Sequence, residues 1–448
     1  MKIELPGRVS FIINNLKLHG YEAFAVGGCV RDAILAKEPE DWDITTSAPP
    51  EAVKRLFRHT IDTGIEHGTV TVLFGNQAYE VTTYRIDGVY ENGRHPKKVT
   101  YTSKIEEDLK RRDFTINAMA YNDESRLVDV TGGMKDLNHH LVRCVGEPAE
   151  RFKEDALRIL RAIRFSAQLN FKVEENTAKA IMALSPTLKK ISAERIQAEL
   201  VKILVSDHPE RIQEAYLLGI TGQILPEWDA MAGVSQNNPH HHYDVLFHTI
   251  NAMKAIKNDK VLRLTMLFHD MGKPQTRTTD EKGVDSFISH EKVSAEIAKE
   301  VMERLKFDKD TIKKVTKLVL FHNHRLISTP RSVRRGLHKI GEDLFPLYLA
   351  VRIADIKAQS SHQRRKKLEE IVRIRDIFHK ILRERQCFSL RDLAVSGQDL
   401  IDVGMKPGEA MGEMLEELLQ LVIDYPDLNE KNRLIIYVNR KLHGDSPV

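Results

Sequence analysis

Cysteine is nearly missing from this chain: Cys29, Cys144 and Cys387 are the only three in 448 residues, and they are scattered. So sparse a set excludes a Cys-based zinc module and fits a reducing compartment. Long apolar runs are missing too. None approaches the ~18 residues of a membrane span, and Met1 to Gly20 has no signal-peptide pattern, so a cytoplasmic protein without membrane association is expected. Charge of one sign is hardly in excess, with 68 Lys/Arg against 64 Asp/Glu giving +4, too little to imply a nucleic-acid partner from the total. No internal repeat or low-complexity tract occurs. What remains is 42% apolar and 29% charged, in a chain too long for one core, so two to four domains are expected.

One stretch organises the rest. In Phe24 to Thr46 a short apolar run (Phe24, Ala25, Val26) stops at Gly27-Gly28 and an amphipathic segment begins near Cys29, so the glycines sit at a strand-to-helix corner where backbone can approach a bulky ligand. Farther on come Asp41 and Asp43, flanking Trp42. Residues two apart on a strand share a face, so the carboxylates converge while Trp42 and Ile44 point to the core. Converged carboxylates repel one another and favour divalent cations. Backbone amides at the glycine corner and Mg²⁺ on the Asp pair suit nucleotidyl transfer. Thr69–Phe74 and Ala78–Arg85, joined at Gly75-Asn76, read as a hairpin that brings Glu80 forward as a candidate third carboxylate.

The polar segment Asp87 to Ser103 reads as a mobile loop, followed by RRDFTINAMA (Arg111 to Ala120) and by a strand that ends at a second glycine pair in LVDVTGGMKDL. From about Val142 the pattern turns helical. Phe152, Ala156, Ile159, Leu160, Ile163 and Ala167 form one apolar stripe over Glu150 to Leu169, and off it lies a ridge of Asp155, Arg158, Arg161 and Arg164 at three-residue steps. The stretch Ser361 to Gln386 holds nine Lys/Arg against four acids, a local +5 suited to phosphate contacts and equally to a solvated helix face.

A second constellation spans the middle of the chain: His248, the dipeptide His269-Asp270, His290, His322 and Asp355, each in an apolar helical segment. Imidazole with carboxylate suits Mn²⁺, Fe²⁺, Ni²⁺ or Mg²⁺, and such a centre lowers the pKa of bound water for attack on a phosphoester.

With both sets in view, the sequence resembles the class II tRNA nucleotidyltransferases of the poly(A) polymerase family, with an HD domain after a helical neck. VGGCVRD with DWD, RRDFTINAMA, DVTGGMKDL, EDALRILRAIRF, ERIQAEL, the His/Asp series and SGQDL with GMKPG carry the resemblance. It implies an α+β fold: a nucleotidyltransferase head with a small mixed sheet at 1–140, a neck at 141–206, an HD-type domain at 207–360 and a tRNA-binding tail at 361–448. It implies that Gly28 and Arg31 bind the triphosphate, that Asp41 and Asp43 ligate Mg²⁺, and that Arg112 and Asp113 contact phosphate and ribose. Asp155 and Arg158 would read the base, with Arg161 and Arg164 adding phosphate and positioning contacts. His248, His269, Asp270 and Asp355 would hold Ni²⁺ or Mn²⁺ for hydrolysis of phosphoesters such as 2′,3′-cyclic phosphates, with His290 and His322 supporting a second ion or orienting the phosphate. The implied activity is addition of CCA, or its terminal A, to tRNA from CTP and ATP. The rivals are a poly(A) polymerase, and an HD phosphohydrolase whose head only binds RNA.

Overall fold

Seven strands build one mixed sheet near the amino terminus: β1 (Ala23–Val26), β2 (Ile44–Thr46), β3 (Thr60–Gly64), β4 (Thr69–Phe74), β5 (Gln77–Thr83), β6 (Met119–Asn122) and β7 (Arg126–Asp129). Their spatial order is β7-β6-β1-β2-β5-β4-β3, antiparallel except for the β2–β5 pair. The computed structural model describes residues 2–88, 90–91, 95–96, 99–237, 244–361 and 363–443, which divide into two compact units, Met1–Asp229 and Ala230–Val448.

In the first unit the apolar run before the glycine pair is buried throughout as β1, and helix α1 (Gly7–Leu18) covers the sheet with Val9, Ile12, Ile13 and Leu16. That three-to-four spacing puts all four on one helical stripe. The expected hairpin is present as β4–β5, with Thr71 opposite Glu80. Parallel pairing of Ile44 with Val81 then sets Asp43 beside Glu80 at the same end of neighbouring strands. Two local readings change. Asp41 and Asp43 lie on the extended approach to β2 instead of within it, and Trp42 is half-buried while Ile44 alone reaches the core. The stretch expected to be an unpatterned loop pairs instead: Arg85–Asp87 runs antiparallel to Val99–Tyr101, and Tyr90–Glu91 to His95–Pro96. Residues 89, 92–94, 97 and 98 of that stretch lie outside the described residues.

Helices α2 (Gly28–Ile34), α3 (Leu157–Leu169) and α4 (Ala193–Leu204) complete what positions the first cleft. The apolar stripe of the neck is buried as expected, but the helix is not continuous. The chain breaks at Asp155, whose backbone is extended (φ −146°, ψ 104°), between Pro148–Glu154 and α3. The cause is local: Asp155 Oδ1 accepts the Leu157 N–H at 3.0 Å, the short-range bond by which aspartate competes with a helix interior.

The second unit is helical, with α5 (Val245–Ala255), α6 (Lys260–Phe268), α7 (His290–Arg304), α8 (Lys309–Phe321), α9 (Phe345–Ala358) and α10 (Arg364–Arg383) as its principal elements. One core gathers Leu318, Val333, Leu337, Phe345, Tyr348, Ile374 and Phe378, and a second gathers Leu400, Leu418, Leu419, Val422, Leu434 and Val438. The basic stretch forms α10, which buries Ile371, Ile374, Phe378 and Ile381. Several of its cations are spent on its own acids: Arg365 on Glu369, Arg373 on Glu370 and Lys380 on Glu384. Among the described residues no helix is long and apolar enough to cross a membrane.

Candidate active site

The glycine corner is shaped by what a side chain would displace. Gly27 has φ +86°, and a Cβ there would stand 3.1 Å from a guanidinium nitrogen of Arg112; one on Gly28 would meet Arg31 at 3.6 Å. The bare backbone is therefore flanked by two cations. Gly27 donates its N–H to Met119 O at 3.1 Å, which ties the corner to β6. Arg31 donates to both oxygens of Asp32 (2.9 and 2.8 Å) and to Asn117 Oδ1 (2.5 Å), so its fork is fixed in advance.

From this corner opens a cleft of about 440 Å³, lined by Gly28, Arg31, Lys37, Asp41 and Asp43 on one side and by Gln168, Leu169, Ser206 and Asp207 on the other. Asp43 is at its solvent-reached edge, yet partial burial pushes its carboxyl above the usual range. Arg112 opposes that shift, and Glu80 and Asp41 add to it. A carboxylate whose ionisation is disfavoured by burial and by like-charged neighbours is one that a divalent cation relieves. Sequence reasoning found all three carboxylates and missed Lys37 and Asp207, which no spacing ties to the cleft.

The neck residues meet partners of their own. Asp113 accepts from Arg161 Nε at 2.7 Å and from its own neighbour Phe114 N at 2.8 Å. Burial opposes its charge, but Arg161 outweighs burial and the carboxyl is lowered to about 2. Asp155 is gripped by Arg195 of α4, at 2.7 Å through Oδ2 and 3.3 Å through Oδ1. Arg158 pairs with Glu154 and donates to the Arg151 and Arg111 carbonyls. Arg164 pairs with Glu199 at 3.2 Å and lies over the Phe165 ring at 4.3 Å. The expected ridge thus resolves into four engaged groups. Two of their partners, Arg195 and Glu199, come from one face of α4, four residues apart, and that spacing was the available signal.

The second constellation does assemble. His248 comes from α5, His269 and Asp270 from the end of α6, His290 from the first turn of α7, His322 from the end of α8 and Asp355 from α9. All six are buried. Gly272 makes the junction: a Cβ there would be 2.6 Å from His290 O and 2.7 Å from Ser294 N, so only glycine lets α7 reach Asp270. Asp270 divides the set. Its Oδ2 faces His248 and His269 at 3.4 and 3.2 Å, and its Oδ1 faces His290 and His322 at 3.4 and 3.7 Å. His248 Nε2 also meets Asp355 Oδ1 at 3.1 Å, and Lys273 Nζ meets Asp270 at 2.7 Å.

The Nδ1 atoms of His269, His290 and His322 each sit 2.6–2.8 Å from a carbonyl of their own chain segment, which fixes the proton there and leaves Nε2 as a lone pair. His290 Nε2 and His322 Nε2 face each other across 3.2 Å, and His269 Nε2 lies 3.3 Å from His248 Nε2, which itself reaches the Asp355 carboxylate. Burial, then His269 and His290, lowers His322 to about 3, so it stays neutral. Burial also disfavours charge on His269, but Asp270 raises it by more. Imidazole nitrogens gathered around one buried carboxylate, with His248/His269/Asp270 and Asp270/His290/His322 each within reach of a single point, are a donor set that suits a divalent cation.

Family models match three stretches of the chain. Residues 23–143 match the family model described as Poly A polymerase head domain. Residues 170–231 match the probable RNA and SrmB-binding site of polymerase A, and 276–438 match tRNA nucleotidyltransferase domain 2, putative. A CCA-adding enzyme of Enterococcus faecalis is 33% identical over 432 residues, 96% of this chain and 95% of its own. One of Lactobacillus helveticus is 48% identical over 217 residues, 48% of this chain and 54% of its own. The crystal structure of the Bacillus stearothermophilus CCA-adding enzyme in complex with CTP is similar at TM-score 0.73 and 27% identity, with 99% of both chains covered. With one third of its residues shared along the full length of such a relative, the chain belongs to the CCA-adding enzymes, the tRNA nucleotidyltransferases of the poly(A) polymerase family.

Proposed function

We propose that the protein extends tRNA 3′ ends with cytidine and adenosine from CTP and ATP in the cytoplasm, choosing the base by protein side chains. The head at 1–140 carries the transfer and the neck at 141–206 the choice of base. The single observation that carries this is the cleft in which the glycine corner, Arg31 and the Asp41–Asp43 pair meet neck residues. Gly28, Arg31 and Arg112 bind the triphosphate. Asp41 and Asp43, with Glu80 behind them, would hold Mg²⁺, and the chemistry it would supply is neutralisation of phosphate charge and a lowered pKa for the attacking hydroxyl. The tRNA 3′-oxygen bonds to the α-phosphorus as the bond to the β-phosphate breaks and pyrophosphate leaves. Asp113 and Arg161 act as a pair that fixes the neck beside the head turn; the carboxylate has little left to offer a ribose.

Asp155 suits base reading. A carboxylate has about four lone-pair sites, and Leu157 and Arg195 engage three, leaving one on Oδ2 for an exocyclic amino group. Cytosine and adenine both carry that donor beside a ring-nitrogen acceptor for Arg158. Uracil and guanine present a carbonyl there and are repelled. Trimmed tRNA incubated with Mg²⁺ and each labelled NTP tests the reading: incorporation of CTP and ATP is expected, and none with Asp41→Ala or Asp43→Ala. Both side chains are exposed, so neither change removes core volume. Undiminished incorporation by either variant refutes the metal assignment.

The facing imidazole nitrogens favour a second reading for 207–360. His248, His269, Asp270 and Asp355 hold Ni²⁺ or Mn²⁺, and His290 with His322 supports a second ion through the other oxygen of Asp270. Metal analysis of the purified protein and of Asp270→Asn tests it. Bound transition metal is expected in the parent and not in the variant, while tRNA extension is kept.

A further inference from the structure

A buried carboxylate that does not line the cleft joins two arginines of the head to the strand that follows its acids. Asp108, in the helix Ile105–Lys110, is fully buried. Arg111 and Arg112 come three and four residues later, a spacing that brings both guanidinium groups to one face of a helical turn. Arg111 donates to Asp108 Oδ1 from Nε at 2.9 Å and from Nη2 at 2.6 Å. Arg112 donates from Nη2 to the other oxygen, Oδ2, at 3.3 Å, and Thr45 Oγ1 lies 3.2 Å from that same oxygen. Thr45 belongs to β2, two residues beyond Asp43. Burial opposes charge on Asp108, but Arg112 and Arg111 outweigh it and hold the carboxyl below the ordinary carboxylate range.

Arg112 has donors to spare. Among the described residues Asp108 is the one acceptor of its guanidinium, and its Nε is buried with no acceptor at all. A buried donor left in that state is costly, so its retention calls for a ligand. Its Nη1 stands 3.1 Å from where a Cβ on Gly27 would be, and its charge reaches Asp43. The guanidinium is thus held at the glycine corner by a single oxygen of Asp108, with its other donors open to an anion. Without that oxygen the cation would be drawn to Asp43, where it would compete with a divalent ion.

We infer that Asp108 is a positioning residue for nucleotide addition: it aims Arg112 at the triphosphate and keeps that cation off the Asp41–Asp43 pair. This rests on the assignment of Arg112 to the triphosphate and names what holds it there. The two oxygens of Asp108 divide the labour, and asparagine separates them, because it has the same shape but accepts on one oxygen only. With that oxygen toward Arg111, its amide nitrogen can donate to Thr45 Oγ1 and presents N–H to Arg112. Asp108→Asn therefore keeps Arg111 and Thr45 and releases Arg112. Arg111 O, which accepts from Arg158 Nη2 at 3.4 Å, stays in place, so the base-reading arginine is undisturbed.

The test uses the full chain with Asp108→Asn, Arg112→Gln and the two together. Each is compared with the parent for equilibrium binding of CTP and for competitive inhibition by cytidine, which carries the base and ribose without the phosphates. A lost hydrogen bond to a charged group lowers affinity by about tenfold or more. Asp108→Asn and Arg112→Gln are each expected to weaken CTP binding by about tenfold, and the double variant to bind no worse than Arg112→Gln alone. Asp108→Asn should leave the cytidine inhibition constant, and the preference for CTP over UTP, as in the parent. Losses that multiply in the double variant overturn the inference, because Asp108 then acts through another group. Equal losses on CTP and cytidine, or a shifted preference, also overturn it, because the whole turn has then moved. If Asp108→Asn binds CTP like the parent while Arg112→Gln does not, the inference falls and Arg112 keeps its place on the triphosphate. If Arg112→Gln itself binds CTP like the parent, that assignment fails and the role of Asp108 falls with it.

Discussion

Gly132 and Gly133 are neighbours in sequence and glycine for different reasons, and substituting each separates the two. Gly132 has φ +82° with nothing within 4 Å of a would-be Cβ, so it needs the left-handed backbone and has room. Gly133 has room for nothing: a Cβ would stand 2.3 Å from Thr115 O and 2.8 Å from Met119 Cγ. A left-handed alanine costs about 1–2 kcal/mol, and asparagine, which visits that region, less. An overpacked methyl costs about 1–3 kcal/mol, because Thr115 must retreat by roughly 1 Å. The retreating segment carries Asn117, which holds Arg31, and Met119, which holds Gly27. Misplacement by about 1 Å costs on the order of a hundredfold in rate. Gly133→Ala is therefore expected to lower kcat/KM for CTP by 10- to about 100-fold, and Gly132→Asn to leave it within about twofold. Stability of the first unit can be read alone, because both tryptophans, Trp42 and Trp228, lie in it. With a urea m-value of about 2 kcal/mol/M, Gly133→Ala should bring the fluorescence midpoint down by about 1 M. The reasoning is refuted if Gly132→Asn proves the worse of the two, or if Gly133→Ala melts and reacts like the parent.

Asp155→Ala removes the carboxylate that repels the uracil carbonyl and should raise UTP use relative to CTP and ATP; identical NTP ratios in variant and parent would place base choice elsewhere. The thiols of Cys29, Cys144 and Cys387 are each pushed up to about 12, chiefly by burial. Iodoacetamide at neutral pH should leave all three unmodified in the native protein and label them in denaturant, as read by mass spectrometry. Labelling of the folded chain would contradict the burial. Arg161 lowers Asp113 from an ordinary 3.8 to about 2. The pair's stabilisation is then present in full above about pH 4 and is lost as pH falls through about 2. The difference in denaturation midpoint between parent and Asp113→Asn should be constant from pH 8 to about 5 and narrow below about pH 4; a gap that widens on acidification would reverse the sign and the assignment.

The sequence by itself determined whatever depends on neighbours along the chain. The strand and helix flanking Gly27-Gly28, the β4–β5 hairpin with Glu80 on it and the buried stripe from Phe152 to Ala167 all follow from local period and turn chemistry. So does the type of chemistry, because carboxylate pairs and His/Asp sets keep their preferences in any fold. Pairing across long separations belonged to the tertiary structure. Asp155 interrupts a helix that the pattern continues, and its carboxylate is held by Arg195, forty residues on. The +5 of Ser361 to Gln386 overstates what α10 offers to phosphate, since its own acids take up several charges. Gly272 shows why: whether a glycine is needed for its φ or for the atoms pressed against it depends on what the rest of the chain brings there, and for Gly272 that is the backbone of His290 and Ser294.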